Sequence, residues 1–146
     1  MKPFILKNIK IEKASLNYSD EILKLLNSSH NLVGYRDEKF TLNEVKDYIR
    51  GKSNLVLISK LKGEIVGVII ANLWRDYCYL YLFIVDKPYR RKGIGNKMME
   101  YLEKKVKKEG YIGLLTKKED KEMINLIKKR GYAKGDKFIY FHKNIK

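Results

Sequence analysis

The sequence predicts a single α/β (α+β) domain in which strands and helices follow one another along residues 1–146. A chain of 146 residues has the length of one ordinary domain and is able to bury a core. Its apolar residues switch between the alternating spacing of strands and the 3.6-residue spacing of helices. Between residues 85 and 96 an apolar run ends, a turn with two glycines follows, and a helical pattern begins. These three observations together predict the fold class.

The first half of the chain is predicted to contain one strand, two helices and then three strands. Lys7–Lys13 alternates as a strand does, and Ser19-Asp20 is placed to cap a short helix. A polar loop is predicted at Ser28–Phe40. Thr41-Leu42-Asn43-Glu44 has the capping-box pattern, which predicts a second helix ending at Gly51. The three strands are predicted at Asn54–Lys60, Glu64–Trp74 and Tyr77–Val85, with turns at Lys62-Gly63 and Arg75-Asp76.

The second half is predicted to alternate helices and strands. One helix has apolar residues at helical spacing and Gly110 as its stop; these residues are Ile94, Met98, Leu102 and Val106. A short strand at Tyr111–Leu115, a helix at Glu119–Arg130 ended by Gly131, and a final strand at Lys137–Lys143 follow. The predicted order of elements is therefore β, α, α, β, β, β, α, β, α, β.

Composition and charge limit the class of protein. Hydrophobic residues make up 45% of the chain and only two residues are proline, which argues against disorder. A single cysteine, Cys78, cannot form an intramolecular disulfide and fits a cytoplasmic protein, and no apolar run predicts a membrane span. The formal net charge is +15. Solvated lysine-rich helix faces explain that charge most simply, and an acidic partner such as nucleic acid is the less favoured alternative.

The turn from Val85 to Asn96 has the features of a phosphate site. The first N–H groups of a helix have no partner within the helix, and the aligned peptide dipoles place partial positive charge there. Gly93 and Gly95 would let a pyrophosphate approach the backbone, and Arg90, Arg91 and Lys92 add full charges. A solvated loop that caps a helix is the alternative. A dinucleotide fingerprint would need a third glycine where Met98 stands, and a Walker A loop would need Gly-Lys-Ser/Thr.

What remains is Arg-x-x-Gly-x-Gly, formed by Arg90, Gly93 and Gly95, preceded by Val-x-x-Pro and followed by an apolar helix. This pattern resembles the acetyl-CoA-binding motif of the GNAT acetyltransferase superfamily. The order of elements also resembles that family over nearly the whole chain, and Gly131-Tyr132 looks like the Gly-Phe that closes the family's last helix. The resemblance implies the GNAT fold, a mixed central sheet flanked by about four helices.

The resemblance implies acetyl-CoA as cosubstrate and an amine as acceptor, with no metal. The pantetheine arm would lie between the strands Tyr77–Val85 and Tyr111–Leu115, where the backbone of Phe83, Ile84 and Val85 would hydrogen-bond its amides. The backbone of the turn would hold the pyrophosphate, through Arg90, Arg91, Lys92, Gly93, Ile94, Gly95 and Asn96. Monomer and homodimer both fit the family, and the loop Ser28–Phe40 would wall the acceptor site.

The chain departs from the family at its catalytic positions. Many members have a Tyr four residues before the closing Gly, where it protonates the leaving thiolate, and this chain has Ile127 there. Histone-type members have a Glu base near the position of Tyr79. Tyr79 and Tyr81 alternate with Leu80 and Leu82, so both hydroxyls are expected on one strand face, where either could orient a water or donate a proton. Plain packing of half-buried strand aromatics is the alternative.

A missing carboxylate base favours an acceptor amine of lowered pKa. Freeing a lysine-type amine of pKa about 10.4 at pH 7 costs about 4.6 kcal/mol, whereas an α-amine of pKa near 7.8 costs about 1 kcal/mol. The sequence therefore favours an N-acetyltransferase that acts on a small-molecule or peptide α-amine by direct attack in a ternary complex. The alternative is a GNAT-like module that binds coenzyme A or a partner with little turnover. A basic nucleic-acid-binding protein is less favoured still.

Overall fold

The computed structural model describes residues 6–28 and 38–145, which form a mixed five-stranded sheet with helices on both faces. The strands are β1 Ile9–Lys13, β2 Asn54–Leu61, β3 Glu64–Trp74, β4 Tyr77–Val85 and β5 Ile112–Leu114. The helices are α1 Ser19–Asn27, α2 Leu42–Arg50, α3 Ile94–Lys105 and α4 Lys121–Lys129. The predicted fold class is confirmed. Residues 29–37 of the predicted acceptor loop lie outside the described residues.

Local sequence signals account for most of the element ends. Thr41 Oγ1 accepts a hydrogen bond from the Glu44 N–H at 3.2 Å, so the predicted N-cap of α2 is formed. Asp120 caps α4 in the same way, accepting from the Met123 N–H at 3.1 Å. The hairpin between β2 and β3 turns at Lys62 and Gly63, both of which have positive φ.

The sheet has the order β1-β2-β3-β4-β5. The first four strands pair antiparallel with their neighbours in the chain, and β5 pairs parallel with β4. A parallel neighbour requires a crossover, and the connection through α3 supplies it. The turn at residues 85–96, called the phosphate turn below, lies at the carboxyl end of β4, where this crossover begins.

Two apolar cores lie on opposite faces of the sheet. The first core contains the apolar stripe predicted for α3, fully buried against Ile69, Ala71 and Leu80. Side chains of α4 complete its edge. The second core packs α1 and α2 against the other face; its members include Ile22, Leu26, Val45, Ile58 and Ile70. The sheet between these cores is held rigidly, which fixes the position of the strand that carries the candidate site.

Four sequence predictions differ from the structure. Residues 6–8 are helical, so the first strand begins at Ile9 instead of Lys7. Tyr18, and not Ser19, is the N-cap of α1, because a 3₁₀ turn precedes the helix and Ser19 Oγ bonds back to the Leu16 carbonyl at 2.6 Å. Helix α3 ends at Lys105, and residues 106–109 form turns before Gly110. The strand predicted at Lys137–Lys143 does not form; residues 137–143 have no regular structure.

The segment at residues 137–143, predicted as a last strand, is an apolar tail exposed to solvent. Phe138 is 93% exposed, and Ile139 and Phe141 are also exposed. Replacing Phe138 and Phe141 by serine is therefore expected to change the free energy of unfolding by less than about 0.5 kcal/mol. Thermal unfolding of the variant checks this. Phe40→Ser is the matched control, since Phe40 is buried and its loss should cost several kcal/mol. A comparable loss in the tail variant would show that the tail is packed.

Candidate active site

Strand β4 extends beyond its pairing with β5, which has only three residues. The two strands pair only at Cys78–Ile112, Tyr79–Gly113 and Leu80–Leu114. Beyond that point β4 keeps its pairing with β3 as far as Val85, but on the other side residues 81–85 have no strand partner among the described residues. Unpaired strand backbone can hydrogen-bond an extended ligand. This unpaired edge of β4 at residues 81–85, called the gap below, lies where the sequence predicts the pantetheine arm.

A β-bulge in β4 lies where its pairing with β5 ends. Opposite β3, Ile70 pairs with Leu82 while Ala71 pairs with Leu80, so Tyr81 is the extra residue. The bulge changes which side chains face each core: Cys78 and Leu80 pack with α3, whereas Leu82 and Ile84 pack with α1 and α2. No sequence signal marks the bulge, because the apolar alternation runs through Tyr81 without a break.

The backbone of Phe83 and Val85 faces the gap. The Asp86 N–H donates to the Val66 carbonyl at 2.8 Å, so Asp86 belongs to a hydrogen-bonded pair with β3. Opposed residues of an antiparallel pair alternate between bonded and non-bonded, which places Ile84 toward β3 and Phe83 and Val85 away from it. Of the three predicted pantetheine contacts, Phe83 and Val85 thus have peptide groups directed into the gap. The Ile84 side chain is buried in the second core.

The turn after β4 is bent by two residues with left-handed backbone. A 3₁₀ turn at Lys87–Tyr89, begun by Pro88, leads to Arg91 with φ 61° and Gly93 with φ 87°. Arg90 Nε donates to the Val85 carbonyl at 2.8 Å, which ties the turn to the end of β4. Arg91 is exposed and only 3.9 Å from Glu122 in a loose ion pair, and Lys92 is half-buried beside it. The turn therefore presents cationic groups at the mouth of the gap.

Helix α3 begins without a side-chain cap. Gly93 is its N-cap, and the first intrahelical bond joins the Lys97 N–H to the Gly93 carbonyl at 3.1 Å. The N–H groups of Ile94, Gly95 and Asn96 precede that bond and are left for an anion. Gly95 is closely packed: a Cβ there would lie 3.3 Å from Leu126 Cδ2 and 3.4 Å from the Phe83 ring. Phe83 and the helix start are thereby in contact, which joins the two predicted parts of the cofactor site.

A polar network that the sequence did not predict links α4 to this helix start. Arg130 donates from Nε and Nη2 to both oxygens of Glu103, at 3.0 and 2.6 Å, and from Nη1 to Asn96 Oδ1 at 2.7 Å. Tyr132 also donates to Glu103 Oε2 at 3.0 Å. The Arg130 hydrogen bonds lower the pKa of the Glu103 carboxyl, despite its partial burial. The Asn96 Oδ1 is thus engaged by Arg130, and the Asn96 backbone N–H remains for an anion.

Tyr79 and Tyr81, the predicted catalytic residues, lie on either side of the strand separation. Tyr81 is at the bulge, and its ring is 5.6 Å from that of Tyr48 in α2. Tyr79 is two residues earlier, with its ring 6.4 Å from that of Tyr77. Partial burial, with smaller effects of Tyr77, Tyr81 and Tyr140, raises the pKa of the Tyr79 hydroxyl above its ordinary value. A hydroxyl with a raised pKa stays protonated at neutral pH, so it can donate a proton but cannot act as a base there.

Cys78 is a packed thiol. It is fully buried in the first core, and burial raises the pKa of its thiol to about 11. A thiol that stays protonated is a poor nucleophile. Ile127, at the position of the family's usual acid, is a half-buried residue of α4. The described residues contain no group of three or more His, Cys, Asp or Glu that could hold a metal ion. Nor is any helix among them long and apolar enough to cross a membrane.

A family comparison agrees with this geometry. Residues 19–132 match the model of the acetyltransferase (GNAT) family. The chain belongs to the acetyltransferase (GNAT) family. The match extends from α1 through the closing Gly131-Tyr132 and includes the whole of the strand, turn and helix described above, so the resemblance inferred from the sequence is confirmed. No curated protein matches the chain.

Solved structures of GNAT enzymes share this fold at low sequence identity. An aminoglycoside acetyltransferase from an uncultured soil metagenomic sample superposes with a TM-score of 0.79 at 16% identity, covering 97% of this chain and 99% of its own. A ribosomal-protein-alanine N-acetyltransferase from Brucella melitensis gives 0.76 at 17%, covering 93% and 99%. An aminoglycoside antibiotic 6'-N-acetyltransferase from Acinetobacter baumannii gives 0.74 at 18%, covering 94% and 99%. These likenesses concern the fold.

Proposed function

We propose that this GNAT protein transfers an acetyl group from acetyl-CoA to a primary amine of lowered pKa. The observation that carries the proposal is the gap along β4, which leads directly to the uncapped start of α3. An extended thiol arm with amide groups needs unpaired strand backbone, and a pyrophosphate needs free N–H groups and cations. This chain offers the two next to each other. A structural neighbour, an aminoglycoside N-acetyltransferase, was solved in complex with CoA, which supports the assignment.

Different residues beside the gap would bind different parts of the cosubstrate. The peptide groups of Phe83 and Val85 would bind the amides of the pantetheine arm. The N–H groups at Gly93–Asn96 would bind the pyrophosphate, with Arg91 and Lys92 supplying charge. Arg90 holds the turn against the Val85 carbonyl. The thioester would then lie near the bulge at Tyr81, between the two candidate tyrosines.

Direct attack needs a neutral amine, a held carbonyl and a proton for the leaving thiolate. The amine nitrogen forms the new C–N bond as the C–S bond breaks; the nitrogen loses a proton to solvent and the thiolate gains one. Tyr79 suits the second transfer, because its hydroxyl remains protonated at neutral pH. A site without a strong base favours an acceptor whose amine is already partly neutral, such as the α-amine of an amino acid, amino sugar or peptide.

Release of free thiol with a panel of amines tests the proposal. Acetyl-CoA turnover should rise with α-amines such as Ala-Ala peptides and far less with polyamines or lysine side chains of the same charge. Much faster acetylation of the latter would overturn the acceptor assignment. Stabilisation by acetyl-CoA without amine-dependent thiol would instead identify a coenzyme A-binding module.

Removing the Tyr79 hydroxyl is expected to slow the chemical step. Tyr79→Phe should lower kcat about 100-fold or more and leave the KM for acetyl-CoA unchanged, since a positioned proton donor contributes on the order of 100-fold or more. Steady-state kinetics by thiol release measure both constants. Tyr81→Phe is the matched control, because it removes a hydroxyl from the neighbouring ring. A larger loss with Tyr81→Phe than with Tyr79→Phe would transfer the role to Tyr81.

A further inference from the structure

Four aromatic residues form a connected row at the amino end of β4, and the mechanism above uses only one of them. The aromatic row consists of Trp74, Tyr77, Tyr79 and Tyr111. The Tyr77 ring lies 5.4 Å from Trp74, 5.2 Å from Tyr111 and 6.4 Å from Tyr79, all at small interplanar angles. These spacings are those of offset-stacked rings. The row crosses three neighbouring strands, since Trp74 ends β3, Tyr77 begins β4 and Tyr111 directly precedes β5.

Two rings of the aromatic row, Trp74 and Tyr111, are open to solvent. Trp74 and Tyr111 are each 61% exposed, whereas Tyr77 and Tyr79 are half-buried. Gly113 lets Tyr77 lie flat on β5, because a Cβ at that position would overlap the Tyr77 hydroxyl. Rings that only stabilised the sheet would gain by covering one another and the strands. Exposed large rings in mutual contact are instead a preformed surface on which another ring can stack.

The position of the row relates it to the acceptor. The carboxyl half of β4, from the bulge at Tyr81 onward, lies along the proposed cosubstrate gap. The row occupies the amino half, on the other side of the bulge. Cys78 and Leu80 pack against α3, so the alternating side chains of Tyr77 and Tyr79 project from the opposite face of the sheet. Tyr77 is four residues from Tyr81, which is about 13 Å along a strand. A molecule that approaches the thioester from the end opposite the cosubstrate passes over these rings.

We propose that the aromatic row binds a ring carried by the acceptor, so that the preferred acceptors are aromatic-ring-bearing amines. The inference rests on the proposed acetyl transfer and adds the substrate class. A ring stacked near Tyr79 would lie about 7 Å from the bulge, and one stacked on Tyr77 about 13 Å, so the amine and the ring are separated by several bonds. The contacts that hold Tyr77 and Tyr79 are other aromatic rings in offset stacks, and a flat ring added to the row would stack in the same way.

Trp74 is the only tryptophan in the chain, so its fluorescence reports directly on the row. We would titrate the protein with free-N-terminus tetrapeptides of alanine in which position two, three or four is phenylalanine, with coenzyme A present. The phenylalanine peptides should change Trp74 emission saturably, and the all-alanine peptide should not. In thiol-release assays the best phenylalanine peptide should have a KM about tenfold below that of the all-alanine peptide, as one added ring stack implies.

Two variants separate the row from general effects. Tyr111→Leu should raise the KM of the phenylalanine peptide about tenfold and leave its kcat and the KM of the all-alanine peptide unchanged. Phe138→Leu is the matched control, because Phe138 is an exposed ring of the tail outside the row, and it should change neither constant. Equal KM values for ring-bearing and ring-free peptides, or an unresponsive Trp74, would overturn the inference while acetyl transfer stands. Absence of thiol release with every amine would overturn the proposed function instead.

Discussion

Replacing Gly95 by glutamate is expected to abolish binding of acetyl-CoA. In the wild-type protein, acetyl-CoA at about 100 times its dissociation constant should add about 2.7 kcal/mol to the free energy of unfolding, which is several degrees in Tm. The variant places a carboxylate among N–H groups that the cosubstrate's pyrophosphate would need. Its Cβ also lies 3.3 Å from Leu126, which must move by a few tenths of an ångström, and 3.4 Å from the Phe83 ring. The shift should therefore disappear, and thiol release with it. Differential scanning fluorimetry with and without acetyl-CoA measures the first effect.

The matched control is Gly135→Glu. Nothing lies within 4 Å of a Cβ at Gly135, so the same change in charge and size is made away from the site. Arg90→Met provides a graded variant, since it removes one charge and the 2.8 Å hydrogen bond to the Val85 carbonyl but adds no clash. It should weaken the binding of acetyl-CoA about tenfold, in line with the loss of one charge-assisted hydrogen bond. An undiminished thermal shift in folded Gly95→Glu would show that the cosubstrate does not bind at the start of α3.

The cofactor half of the site could be predicted because its chemistry is local in sequence. Strand, turn and helix start are contiguous between Val85 and Asn96, and glycines and cations mark the turn directly. The buried face of α3 could be predicted as well, because its apolar side chains recur at helical spacing, and all of them are buried. Capping signals such as Thr41 operate over three residues, and they placed α2 to within a residue.

Features that depend on contacts between distant residues could not be predicted. The bulge at Tyr81 arises from the register of β3 against β4, and a run of alternating apolar residues has the same pattern with or without it. Glu103 and Arg130 are 27 residues apart, and in the sequence each reads as a charge on a solvated helix face. Residues 137–143 have the alternation of a strand but form no regular structure, so propensity alone misassigned them.

Replacing Arg130 by methionine is expected to lower both stability and affinity for acetyl-CoA, although Arg130 lies outside the phosphate turn. The side chain is only 16% exposed and makes three charge-assisted contacts, two to Glu103 and one to Asn96. Its loss leaves a partly buried carboxylate without its cation. After allowance for solvent screening this should cost about 1–2 kcal/mol, or a few degrees in Tm. Because Asn96 loses its anchor as well, the KM for acetyl-CoA should rise while kcat is kept.

The pH dependence of stability distinguishes this network from general packing. The folded-state pKa of Glu103 is lowered, first by the Arg130 hydrogen bonds, from an ordinary value of 4.5. The ionised carboxylate therefore stabilises the fold above about pH 4.5, and this contribution is lost as the pH falls through the lower folded-state pKa. Wild-type protein should lose stability in that acidic range, and Arg130→Met and Glu103→Gln should each lose less. Lys129→Met, a neighbouring exposed cation of α4, should keep the wild-type profile. If Arg130→Met also kept the wild-type pH profile, with an unchanged KM for acetyl-CoA, Arg130 would not connect α4 to the phosphate turn. A flattened pH profile with a raised KM would show that α4 holds the turn in place.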